Sequence, residues 1–172
     1  SADSLWSADR DVLSPATPVT LTWDNGQGLQ FTRRISINDD YLFVFEDSVT
    51  SSLPGDITLY PYGLVRRHGT PATTGMYILH EGPLGVFDET LSEEGYDDLR
   101  DAGAAGIKMT PETAGGWVGI TDKYWLAALL PTQAKNYNFG FQSLAGNTDR
   151  YQVDFIDPNG LLLAAGGAIT SE

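Results

Sequence analysis

The sequence predicts an all-β fold, an antiparallel β-sandwich with few or no helices, and three observations predict it. Hydrophobic residues recur at every second position through most of the chain, the period of a strand with one face buried. Clusters such as Asp24-Asn25-Gly26-Gln27-Gly28, Asn38-Asp39-Asp40 and Asp157-Pro158-Asn159-Gly160 interrupt these runs with residues that turn the chain. A length of 172 residues, 41% of them hydrophobic and 11% aromatic, is enough to bury one core, and no linker or internal repeat divides the chain. The expectation is a single domain over residues 1–172 with about ten strands.

Taken in order, Val19, Leu21 and Trp23 alternate with polar residues, and Leu29, Phe31, Arg33, Ile35 and Ile37 return after the glycine-containing turn, so residues 18–37 read as a hairpin. A strand from Tyr41 to about Thr50 places Tyr41, Phe43 and Phe45 on one face and Leu42, Val44 and Glu46 on the other. Residues 51–55 form a loop. Ile57 to Val65 resumes strand character, with Pro61 demanding a bulge or an edge because it has no N–H to donate. Met76 to His80 and Leu84 to Asp88 are two short strands around Gly82-Pro83, and residues 89–106 hold loop with at most one short strand or helical turn. Trp117 to Leu130 is a strand pair or one long bent strand. Its run from Tyr124 to Leu130 suits a strand covered on both faces, with a buried helix as the alternative. Tyr137 to Leu144, Tyr151 to Ile156 and Leu161 to Ala164 complete the set.

Charge limits the function classes. With 10 Lys and Arg against 23 Asp and Glu, the net charge is −13, the opposite of what a phosphate backbone or an anionic headgroup attracts. Neither nucleic-acid binding nor direct lipid binding is expected. Cysteine is absent, which excludes disulfides, thiolate zinc sites and cysteine nucleophiles. The longest apolar stretch, Tyr124 to Pro131, is far shorter than the ~20 residues of a spanning helix. The opening Ser1-Ala2-Asp3-Ser4 is no signal peptide and has no initiating Met, so the sequence reads as an excised or processed piece.

Acid–base chemistry would look first to His68 and His80, with Glu81 beside the latter. Adjacent strand residues point to opposite faces, so His80 and Glu81 meet only on an irregular backbone. Asp88, Glu89, Glu93, Glu94, Asp97, Asp98 and Asp101 crowd one stretch, but their spacing matches no calcium loop and reads as a solvated acidic surface. Trp23, Trp117, Tyr124 and Trp125 could line a sugar groove, yet core packing is the simpler use of aromatics in a sandwich. No phosphate loop, nucleophile elbow or zinc motif is present. No catalytic, metal or cofactor-binding residue is expected.

One block is more specific. Gly115-Gly116-Trp117-Val118-Gly119-Ile120-Thr121-Asp122-Lys123-Tyr124-Trp125, closing on Leu129-Leu130-Pro131, resembles the late signature of the periplasmic domain of YidC, the bacterial membrane protein insertase. The segments Leu59 to Leu64 with Arg67-His68-Gly69, and Tyr77 to Phe87, look like its alphaproteobacterial version, and the resemblance covers most of residues 18–165.

The resemblance implies an extended β-sandwich, a supersandwich similar to galactose mutarotase, held on the periplasmic side of the inner membrane and truncated here at both ends. It implies that Gly116, Trp117, Tyr124, Trp125 and Pro131 form a signature core, and that no cofactor is needed. It further implies a non-catalytic module of an insertase and chaperone whose partners are Sec translocon accessory subunits, nascent membrane proteins and the parent's own transmembrane insertase domain. The alternative is a carbohydrate-binding or sugar-epimerase-like domain on the same fold, with His68, His80 and Glu81 as the acid–base set.

Overall fold

The computed structural model describes residues 4–72, 79–103, 106–108, 113–144, 146 and 148–171. Along the chain the strands are β1 (Ser7–Ala8), β2 (Val19–Asp24), β3 (Leu29–Ile37), β4 (Phe43–Ser51), β5 (Ile57–Leu59), β6 (Tyr62–His68), β7 (Gly82–Phe87) and β8 (Thr90–Glu93). A helix, α1 (Tyr96–Ala102), follows. Then come β9 (Ile107–Lys108), β10 (Thr113–Ala114), β11 (Trp117–Asp122), β12 (Trp125–Leu129), β13 (Asn136–Leu144), β14 (Arg150–Ile156), β15 (Leu161–Leu163) and β16 (Ala168–Ser171). All strand pairings are antiparallel, and α1 is the single helix among the described residues, so the fold is all-β. The chain divides into two compact units, Ser1–Leu59 with Gly160–Glu172, and Tyr60–Asn159.

In the first unit a sheet runs in the order β1-β2-β3-β4-β16, and β5 pairs with β15. The 18–37 hairpin forms in the expected register, Val19 opposite Ile35 and Trp23 opposite Phe31. Because strand side chains alternate, the rows Val19–Ile35–Phe45 and Trp23–Phe31–Val49 share one face, while Thr22–Thr32–Ser48 lie on the other. Trp6 and Trp23 approach to 5.9 Å, and Trp23 stacks on Phe31 at 5.1 Å. At the predicted turn the Asn38 side-chain oxygen accepts from the Asp40 and Leu42 amides, standing in for strand pairing while Tyr41 takes φ 60°.

The second unit is a two-layer sandwich. One layer is ordered β10-β13-β14-β6, with β9 also on β13, and the other β12-β11-β7-β8. Between them lie Phe87, Val118, Ile120, Tyr137, Phe139, Phe141, Tyr151 and Val153, joined by Tyr96 and Leu99 from α1. The strand residues among these are alternate residues of β13, β14 and β11 with Phe87 of β7, which is what a period of two prescribes for a sheet with one face sealed. Pro61 separates β5 from β6, which fits the ladder position it cannot fill, and its carbonyl accepts from the Asp157 amide at 2.9 Å.

The expected strand from Met76 to His80 falls largely outside the described residues, and Leu79 and His80 are not in a strand. The acidic stretch resolves into ordinary parts. Asp88 and Glu89 take left-handed φ values of 49° and 60° at the two-residue turn joining β7 to β8. Asp97 and Asp98 occupy the first turn of α1, where carboxylates face the positive end of the helix dipole, and Asp98 accepts from the Gly95 amide at 3.1 Å.

Candidate functional site

The signature block folds into a hairpin. β11 and β12 are joined by Lys123 and Tyr124 alone, with Asp122 opposite Trp125 and Val118 opposite Leu129. At its start Gly116 is gripped by the Gln133 side chain: the Gly116 amide donates to Gln133 Oε1 at 2.9 Å, and Gln133 Nε2 donates to the Gly116 carbonyl at 3.1 Å and the Pro131 carbonyl at 2.6 Å. One amide side chain thereby holds the two ends of the signature together. Sequence reasoning named Gly116 and Pro131 but missed Gln133, whose role depends on a contact across 17 residues.

The signature is not all core. Pro131 is buried, and Gly116 and Trp117 are half-buried, but Tyr124 is 79% and Trp125 81% exposed, so the expectation that both aromatics lie inside is corrected. Two geometric facts explain it. Tyr124 occupies the turn, beyond the last paired residues, and β12 is the outermost strand of its layer. Val118 and Ile120 face the core, so the register puts Leu129, Ala127 and Trp125 on that same face, but only Leu129 reaches the core cluster. The opposite face carries Leu126, 54% exposed, and Leu130 at 64%, so the expected covering of Tyr124–Leu130 on both faces is also corrected. Across the layer this outer face continues through Trp117, Val86 and Leu91.

β12 also has a free side. The two-residue turn makes Asp122–Trp125 the hydrogen-bonded pair, so by alternation the amides and carbonyls of Leu126 and Ala128 point away from β11. Among the described residues nothing pairs with that side. The other edge strand of the layer, β8, ends on Glu93, whereas β12 carries no charged residue from Trp125 to Leu129. Charge on an edge deters pairing with another chain, and β12 lacks it.

The core gives way to a polar cluster at the turn end of the hairpin. Asp122 forms an ion pair with Arg67 at 3.2 Å and accepts from the Tyr96 hydroxyl at 3.3 Å. Tyr96 packs against Tyr151 with ring centroids 4.5 Å apart, and the Tyr151 hydroxyl meets Thr70 Oγ1 at 2.7 Å and Arg100. Thr70 donates in turn to Asp149. Burial pushes the Tyr96 hydroxyl up to about 12, with the Asp122 carboxylate adding to the effect and Arg67 opposing it. Burial also raises Tyr137. An unfolded tyrosine ionises near ~10, so the Tyr96 contribution to stability is complete below that pH and is lost as pH rises through about 12. Alkaline titration followed at the phenolate absorbance is expected to show a late-ionising class that loses one tyrosine in Tyr96→Phe.

The acid–base candidates occupy separate settings. His68 is exposed at the end of β6, opposite Arg150 on β14. His80 lies before β7 and donates from Nε2 to the Pro83 carbonyl at 2.9 Å, which commits that nitrogen to the backbone; Glu81 follows it. Two shallow depressions lie in the first unit, one around Trp23, Asp24 and Gln30 and the other around Gly28, Thr50 and Ser52; neither includes a histidine. Among the described residues no group of three or more His, Asp or Glu side chains is placed to hold a metal ion, and no helix is long and apolar enough to cross a membrane.

A family model described as the YidC periplasmic domain matches residues 1–172. The chain belongs to that family. Relatives named "Membrane protein insertase YidC" include those of Beijerinckia indica, 46% identical over 96% of this chain, and Methylobacterium radiotolerans, 46% identical over 98%. That of Rickettsia felis is 39% identical over 91% of the chain. The matched region is 27% to 28% of each relative, so the chain spans about a quarter of the length of the curated relatives it matches. The resemblance carried by residues 115–131 is therefore correct, and the domain is a periplasmic one of a bacterial inner-membrane protein.

Proposed function

We propose that this periplasmic domain is a non-catalytic module of an insertase and chaperone, and that it contacts partner or substrate polypeptides through the free edge of β12. The observation that carries the reading is an uncharged edge strand whose Leu126 and Ala128 backbone groups are unpaired among the described residues, beside an apolar sheet face. An extended segment can add to such an edge because the main chain supplies the affinity and alternate side chains supply the selectivity. Nascent membrane proteins offer such segments in extended form, and Sec accessory subunits are the other partners that fit the resemblance. Insertion itself belongs in this reading to the parent's transmembrane domain.

The test places a photoreactive phenylalanine analogue at position 126 or 128 of the full-length parent in membranes. Adducts with polypeptide are expected from both positions and not from 118 or 120, whose side chains are sealed in the core. Equal yields from all four, or none from 126 and 128, would remove the edge from the proposal.

A further inference from the structure

We infer that the tip of the β11–β12 hairpin, Lys123-Tyr124-Trp125, docks into the interfacial layer of a zwitterionic phospholipid bilayer. Lys123 and Tyr124 form the turn, and Tyr124 and Trp125 are 79% and 81% exposed in succession. Tyrosine and tryptophan carry an apolar body with one polar group, which is why they settle at the depth of the headgroups. The Lys123 ammonium lies 5.1 Å from the Tyr124 ring centre, and its alkyl stem lets the charge reach outward to phosphate oxygens while the rings go deeper.

Local charge supports the same occupant. From Lys123 to Pro131 the chain has one lysine and no carboxylate. The nearest acid in sequence, Asp122, is engaged by Arg67 and Tyr96. A segment with a single positive charge thus projects from a chain of net charge −13. The expectation of no lipid contact rests on that net charge, yet repulsion between exposed charges fades beyond ~8 Å at physiological ionic strength. Partition of aromatic rings into a zwitterionic interface does not depend on attraction between net charges. A domain of an inner-membrane protein also stays within reach of a bilayer, so a weak contact acts at a high effective concentration.

The experiment uses the full-length parent in phosphatidylcholine nanodiscs, with Tyr124→Cys as its one cysteine, labelled with an environment-sensitive fluorophore. The domain itself contributes no other cysteine. A blue-shifted emission quenched by a nitroxide on the lipid near the headgroup is expected. Adding Trp125→Ser should weaken the contact about tenfold, since a large aromatic surface is lost, and so restore the aqueous emission. Circular dichroism confirms that the doubly substituted domain stays folded. Emission that remains aqueous and unquenched by lipid overturns the inference, as does lipid quenching that Trp125→Ser leaves unchanged. A blue shift without lipid quenching overturns it too, by showing the tip covered by protein. None of these outcomes touches the adducts expected at positions 126 and 128, so the two proposals fail separately.

Discussion

Truncating Phe141 to alanine is expected to cost about 4 kcal/mol of unfolding free energy, the range for removing a large ring from a sealed core. Phe141 is 1% exposed at the middle of β13, between β14 and β9, and the Phe87 ring from the facing layer stands 6.0 Å away. The cavity cannot close cheaply, because the strands on either side of Phe141 are fixed in a hydrogen-bonded sheet. Urea unfolding checks this: the midpoint should fall while the slope stays constant, because the surface exposed on unfolding barely changes. A loss under about 1 kcal/mol would mean that the two layers do not meet at Phe141.

Replacing Gly116 by alanine should be nearly as damaging, at about 3 kcal/mol, for a different reason. Gly116 has φ +95°, and a methyl group there would lie 2.6 Å from the Val86 carbonyl oxygen. The backbone cannot rotate to relieve this without losing both hydrogen bonds to Gln133. Gly26 is the natural control. Its φ is also positive, at +69°, but a Cβ would meet nothing within 4 Å, so Gly26→Ala should cost only about 1 kcal/mol. Comparable losses at both positions would show that left-handed geometry alone, and not the crowding against β7, makes glycine necessary in the signature.

These two residues illustrate what can be read from a sequence. Alternation predicts the extents of β2, β3, β4, β13 and β14 closely, and in β13 the sealed face writes its period directly into the residues. The choice between a strand and a helix at 124–130 is decided by pairing: Val118 to Asp122 lie opposite Leu129 to Trp125. Helix α1 was legible only as one helical turn, since seven residues with Tyr96 and Leu99 buried are too few to establish a helical period. Very short strands such as β1 and β10 draw their identity from their partners and carry no pattern of their own.

The misreading at Tyr124 and Trp125 is instructive. A continuous apolar run looks the same whether a strand lies in the middle of a sheet or at its edge, because composition does not record which neighbours are present. The Arg67–Asp122–Tyr96–Tyr151 cluster was hidden for a related reason. Its members come from β6, β11, α1 and β14, and only the sandwich brings them together. Family resemblance supplied the placement, and the structure supplied the exposed edge on which a function can be argued.

Amide hydrogen exchange at Leu126 and Ala128 tests that edge most directly. The full-length parent would be compared empty and while holding a stalled nascent membrane protein. Slower exchange at these two amides in the occupied state, with the core amides of Val118 and Ile120 unchanged, is the expected result. Exchange at Leu126 and Ala128 that is equally fast in both states would contradict a polypeptide-binding role for β12.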